Sequence, residues 1–377
     1  MIRVAVLHIV ACVAVAGCSS PPSMSPDDDG SSAGPDAAPP PTGPPPELGD
    51  PATRHLTVVG SAADGLAHVR DLWFPPGHPD QLWTFNAGIH GTVIYFNPGT
   101  PQQSVQVLVD RYAEHFMDTV SSAAFGAPGT FATCQESRDD WNDQPQAEDD
   151  FMGPTLWPDD LSIYCKVGQE FPYSPSRPEG SHLDMLHQSP LCMGIAHDHD
   201  SIYWAFDGQA GNIVYYDFKQ DHGPGGGDHS DGVIRRWVDT HLTRVPGVPG
   251  HMAMDRPDGL LYVADTGAGR VMRLDTASGT PGGPIDSWDG GHYSAMNGGT
   301  FAPFVSGLGQ PSGLLFDGQR VFVADHASGD IVAFDTAGHE LGRLATGAPG
   351  VMGIRIGPDR KLWFVDGDHD RLVRVDP

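Results

Sequence analysis

A repeated unit of short strands and polar turns constrains this chain more than any other feature. Four copies are plain: GIAHDHDSIYWAFD at 194–207, HMAMDRPDGLLYVAD at 251–265, GLLFDGQRVFVAD at 313–325 and GIRIGPDRKLWFVD at 353–366. Each is an apolar run, a turn rich in Asp, Gly or Pro, then a second run of aromatic and β-branched residues. A third run follows at 213–216, 271–274, 331–334 and 372–375, each closed by an Asp. Two looser copies come first, with runs at 72–74, 82–85 and 93–96, then at 123–125, 130–133 and 161–164. Small antiparallel sheets repeated in this way stack on one another, as a propeller or an array. The sixth copy has three strands before Pro377, and an unassigned strand at 55–59 precedes the first copy. Pairing that strand outside 372–375 completes the sixth sheet and removes an open edge. The reading is an all-β fold, a six-bladed β-propeller closed by an N-terminal strand, over residues 54–377.

Composition agrees. Of 48 acidic residues only seven are Glu, and 41 Asp, 48 Gly and 35 Pro describe many tight turns between short strands. A helical bundle is excluded. The formal net charge of -27 repels phosphate backbones, so no nucleic acid is expected as a partner.

The unit resembles the NHL repeat, roughly G-I-A-V-D-x-x-G-x-L-Y-V-A-D, and residues 194–377 are similar to NHL-repeat, TolB-like six-bladed propellers. That resemblance implies the fold and leaves function open, because such propellers include both lyases and binding platforms. The amidating lyases on this fold take zinc histidines from Pro-His motifs opening the innermost strand. Here only Pro249-Gly250-His251-Met252 comes near, while Gly194, Gly313 and Gly353 occupy the corresponding places. The lactonase-type set of a Glu, two Asn and an Asp has no counterpart.

The N-terminus carries an address. Arg3 precedes a short apolar run at 4–16, too short to cross a bilayer, which needs about 20 residues. Val15-Ala16-Gly17-Cys18 resembles the bacterial lipobox, which implies that residues 1–17 are a lipoprotein signal peptide and that Cys18 is the lipidation site. Residues 18–53, rich in Pro, Ser and Asp, read as a disordered tether. The expected location is the bacterial cell envelope, extracytoplasmic and lipid-anchored, with the membrane as a partner through the lipid on Cys18. Ser19 favours the outer membrane in a Gram-negative cell.

Propeller topology sorts loops onto two faces. Strands are lettered a to d from the channel outward; d–a and b–c loops share the upper face, a–b and c–d loops the lower. Cys12 leaves with the signal peptide and Cys18 takes the lipid, leaving Cys134, Cys165 and Cys192. Cys134 ends strand b of the second unit and Cys192 opens strand a of the third, so a Cys134–Cys192 disulfide is expected, with Cys165 left over. His68, His115, His187 and His251 fall before or at the start of strand a in consecutive units. If they converge on the upper channel mouth they are candidate ligands for zinc, copper or iron, with Asp71, Asp118 or Asp184 as further ligands or supports. The alternative is ordinary loop histidines. Residues 221–232, DHGPGGGDHSDG, place Asp221, Asp228 and Asp231 on a Gly-rich lower-face loop, candidate calcium ligands remote from the histidines. The acidic insertion 135–160, with Trp141, Phe151, Met152 and Trp157, is expected to cap the upper face. No phosphate loop, C-x-x-C or H-E-x-x-H occurs, and no G-x-S-x-G elbow lies within residues 54–377. Two functions follow. The first is an envelope-anchored binding module presenting its upper face to a protein or small-molecule ligand. The second is a metal-dependent lyase or hydrolase with a histidine-lined site at the channel mouth.

Overall fold

The computed structural model describes residues 43–126, 128–138, 150–166, 180–287 and 289–376. Cys18, the signal segment and residues 139–149, with Trp141, lie outside the described residues.

Six sheets form a six-bladed β-propeller. Blade one contains Val69–Trp73, Gln81–Asn86, Gly91–Phe96 and Ser104–Val109. Blade two contains Val120–Phe125, Thr130–Gln135, Thr155–Pro158 and Asp184–Met185. Blade three follows with Gly194–His197, Ile202–Asp207, Asn212–Asp217 and Val233–Trp237. Blade four has Met252–Asp255, Leu260–Asp265, Arg270–Asp275 and Phe301–Ser306. Blade five has Pro311–Phe316, Arg320–Asp325, Asp330–Asp335 and Glu340–Ala345. Blade six joins Val351–Ile356, Leu362–Asp366 and Arg371–Asp376 to His55–Gly60, which pairs antiparallel with Arg371–Asp376 from His55↔Asp376 onward. Each strand a touches strand a of both neighbouring blades, and that of blade six touches that of blade one. The ring is therefore closed by the N-terminal strand.

Both faces of each blade are covered, so the inner strands are buried along most of their length rather than alternating. Between blades one and two, Trp83 packs edge-on against Phe125 and Phe131, at 5.6 and 5.4 Å between ring centroids. The Asp residues ending strands b hold the upper loops. Asp207 accepts from Gln209 N and Ala210 N, Asp265 from Thr243 N, and Asp325 from Gly309 N and Gln310 N.

Three details depart from the sequence reading. The third strand of blade two is Thr155–Pro158, not 161–164. The Asp160 carbonyl accepts from Ile163 N and Tyr164 N, curling 161–166 into a turn that inserts Tyr164 beside Trp83 and Phe131. Apolar side chains there fill the core without joining the ladder. Between strands c and d of blade four, a hairpin of Thr280–Pro284 and His292–Asn297 crosses to blade three and adds to its outer edge, pairing parallel with Val233–Trp237. Finally, the packed body begins before residue 54. Leu48 is buried in the core of blades five and six, and Glu47 pairs with Arg320 at 3.1 Å. A buried apolar residue and an ion pair are enough to dock the end of the tether.

Candidate functional site

The strands a meet at the axis, where the spacing of the blades depends on glycine. A Cβ on Gly194 would lie 2.1 Å from Gly250 O, one on Gly313 2.0 Å from Met352 O, and one on Gly353 2.7 Å from Asp71 Oδ1. No side chain fits at those places, so no histidine can replace them. Among the four plain copies, the one repeat-opening position that carries a side chain is His251, which is buried. Its Nε2 donates to Ser121 O at 3.3 Å and lies 3.8 Å from Asp71 Oδ2. Burial lowers the His251 imidazole below its ordinary value, against the pull of Asp71.

Asp71 is the centre of this axial plug. It is fully buried and accepts from Leu72 N at 2.8 Å, Ala123 N at 3.0 Å and Ser122 Oγ at 3.2 Å. Arg355 Nη2 lies 3.5 Å from it, and the Arg355 guanidinium carbon sits 3.9 Å from the Trp73 ring centroid. A desolvated cation over an indole contributes about 2 kcal/mol. The plug separates two mouths.

The upper mouth is a cavity of about 260 Å³ lined by His68, Arg70, Gly247, His326 and Asp368 among others. Its charges are internally matched. Glu136 binds Arg70 at 3.0 Å and Arg244 at 2.7 Å and accepts from Gly247 N. His326 lies between Gln310 Oε1 at 3.2 Å and Asp368 at 3.4 Å.

The lower mouth is larger, about 450 Å³, and lies at the ends of all six strands a. Trp73, Phe125, Met254 and Phe316 form its apolar wall, with His197, Arg256 and Arg355 as polar groups. None of the described residues lining it is a carboxylate. Arg256 donates to His197 O at 3.0 Å, to His197 Nδ1 at 3.1 Å and to Asp198 O, and among the described residues it forms no ion pair. Arg355 Nε is buried without a hydrogen-bond partner.

The sequence reading missed this mouth, although one signal was present. The third position of the unit faces the channel and is Ala196, Ala253 and Leu315 in three blades, but Arg355 in the sixth. A charge at an inward repeat position marks a site.

The four candidate histidines do not gather. His68 lines the upper mouth and His251 the plug. His115 lies 3.9 Å from the Phe116 ring on the short helix Glu114–Met117. The His187 ring lies tilted 4.2 Å from that of Phe151 and stands 3.8 Å from Asp289, beside the hairpin added to blade three. The d–a connections that carry them cross from rim to axis, so equal positions in sequence fall at different radii. Among the described residues, one group of three donors meets closely enough to hold an ion, and it is Asp184, His222 and Asp231. Of the candidate calcium residues only Asp231 belongs to it. Asp221 accepts from Gly223 N and Asp228 from Ser230 N and Oγ, so both close their own turns. Nor is that loop remote from the histidines: the His229 ring lies 6.0 Å from His187.

Cys134 and Cys192 are bonded, with Cα atoms 5.4 Å apart, and Ser121 Oγ donates to the carbonyls of both. Cys165 is buried, and burial pushes its thiol up. Among the described residues of the acidic insertion, neither Trp157 nor Met152 belongs to a cap. Trp157 lies in strand c of blade two, and Met152 is buried in the same core.

No protein-family model matches the sequence, and no curated protein matches it. In structure the chain is similar to an auxiliary nutrient binding protein from Bacteroides ovatus, with TM-score 0.54 and 10% identity over 86% of this chain and 76% of that one. It is also similar to regucalcin, a calcium-binding protein from Agrobacterium tumefaciens, with TM-score 0.51 and 14% identity over 84% and 92%. A luciferin-regenerating enzyme matches at TM-score 0.50 and 13% identity over 86% and 96%. At such identities the likeness is one of fold, and these propellers include both binding proteins and an enzyme.

Proposed function

We propose that this protein is a lipid-anchored bacterial envelope lipoprotein whose NHL-type propeller binds a small anionic molecule with an apolar or aromatic body in the lower channel mouth. One observation carries the reading. In a chain of net charge -27, the cavity where six strands converge is lined by Arg256, Arg355 and His197 and by no carboxylate among its described residues. Guanidinium forks match carboxylate and phosphate groups, and the aromatic and Met wall matches an apolar body. The upper mouth, favoured from sequence, is smaller and its Arg70 is paired with Glu136, whereas Arg256 of the lower mouth forms no ion pair among the described residues. The similarity to nutrient binding proteins agrees with a small-molecule ligand. The Cys134–Cys192 bond agrees with an oxidising compartment. The metal-dependent lyase or hydrolase loses its support, since the histidines it requires stand apart.

Thermal-shift titration of the full chain with benzoate, phenylacetate and indole-3-acetate, against benzylamine and benzyl alcohol, tests the reading. The anions should raise the melting temperature, and Arg256→Ala should weaken them about 10- to 100-fold, the worth of a hydrogen bond to a charged group. Equal responses to anion and amine, or anion binding indifferent to Arg256→Ala, would sink it.

A further inference from the structure

The lower ends of blades two and three meet around a carboxylate that the fold leaves half satisfied. Asp184 is one of two residues in strand d of blade two and is fully buried. Its Oδ1 accepts from Met185 N at 2.7 Å and from His229 Nδ1 at 2.6 Å. Its Oδ2 is buried and has no hydrogen-bond partner. Burial raises the Asp184 carboxyl above its ordinary range, against the opposing pull of His229. Facing it from the c–d loop of blade three are His222 and Asp231, with His222 Nε2 3.0 Å from Asp231 Oδ1. One donor atom from each of the three residues lies within 4.8 Å of the other two.

We propose that Asp184, His222 and Asp231 form a site for a divalent transition-metal ion, best fitted by zinc, that clamps the c–d loop of blade three onto strand d of blade two. The donor set is one imidazole nitrogen and two carboxylate oxygens. That set suits zinc, manganese or iron, whereas calcium takes six to eight oxygens. Donors around an ion with bonds of about 2.1 Å stand roughly 3.4 to 4.2 Å apart, so the His222–Asp231 contact at 3.0 Å would open slightly and the wider spacings, all within 4.8 Å, would adjust to match. His229 holds Asp184 Oδ1 from behind, as a hydrogen-bonded support orients a metal ligand. An ion at this place would give the half-satisfied Asp184 carboxylate a further partner and offset two acidic charges.

The loop is shaped to reach this position. Gly223 and Gly225 adopt left-handed backbone, with φ of 79° and 71°, and Gly225 N donates to His182 O at 2.7 Å. That bond pins the loop to the segment leading into strand d. The clamp also has a structural purpose. Strand d of blade two pairs only through Thr155↔Met185 and Leu156↔Asp184, the weakest ladder among the blades. The Cys134–Cys192 bond ties the same two blades on the upper face. An ion below would be the second staple. None of the three ligands lines the channel mouth, so this site stands apart from the ligand proposed there.

The test uses the full chain prepared without a histidine tag, stripped with chelator and titrated with zinc sulfate by calorimetry, with calcium chloride in parallel. One zinc per chain should bind and raise the melting temperature. His222→Ala and Asp231→Asn fall on half-buried loop positions outside the core. Each should keep the apo melting temperature while weakening zinc at least about 100-fold, beyond the range of outer-sphere changes. His326→Ala at the upper mouth should leave the stoichiometry unchanged. Substoichiometric zinc, or stoichiometric zinc that survives both loop substitutions, overturns the site. Calcium bound here in preference to zinc overturns the choice of metal.

Discussion

Arg355 and Asp71 show how single side chains reshape the axis of a repeat protein. Gly opens three of the repeats and Ala or Leu fills the third position in three, but Asp71 at an opening position and Arg355 at a third position instead fill the channel with an ion pair capped by Trp73. Buried imidazoles are a second residue-scale feature, and their pH effect has a definite sign. Burial pulls His115 down to about 4 from its ordinary 6.5. Below pH 6.5 the unfolded chain binds a proton that the folded chain refuses, so the stability His115 contributes is complete above 6.5 and lost as pH falls toward 4. Each tenfold loss of proton affinity is worth about 1.4 kcal/mol, and partial exposure reduces the total to roughly 1–2 kcal/mol. Urea unfolding at pH 7.5, 6 and 5 should show His115→Gln losing less stability on acidification than the parent chain. Parallel curves would refute the assignment.

At the scale of elements, blade two is the irregular member. Its third run in sequence became a core-filling turn, because Tyr164 packs between Trp83 and Phe131 while the Asp160 carbonyl closes the turn. Apolar alternation alone does not distinguish a strand from a plug of this kind. The hairpin Thr280–Pro284 and His292–Asn297 was equally unreadable, since its partner is a strand of another blade. With so short an outer strand, blade two depends on the bond to blade three. Cys134 and Cys192 enclose a separation of 58 residues, and opening such a loop should cost roughly 4 kcal/mol. The double variant Cys134→Ser, Cys192→Ser should therefore unfold at clearly lower urea than the parent. An unchanged midpoint would mean that the blades hold without the bond.

For the whole molecule, closure and attachment are separate matters. Closure comes from His55–Gly60, whose pairing with Arg371–Asp376 is reinforced by Thr57 Oγ1 donating to Asp376 Oδ2 at 2.5 Å. Attachment is proposed at Cys18, upstream of that strand. Cys18→Ala should move the protein from the membrane to the soluble fraction of expressing bacteria, with the melting temperature of the propeller unchanged. Retention in the membrane would remove the lipid anchor from the proposal. The fold was legible in the sequence because each blade repeats one local pattern of strands and turns, and six copies of it leave closure as the way to cover every edge. His251 stood out as a departure from that pattern, whereas Arg355, an equal departure, went unread. What only the tertiary structure decided is which departures meet. The histidines at matching repeat positions lie at different radii, whereas Asp184 meets His222 and Asp231 across a blade boundary. Such distances are set by loops that leave the repeat, and a loop's path depends on what it packs against rather than on its own residues.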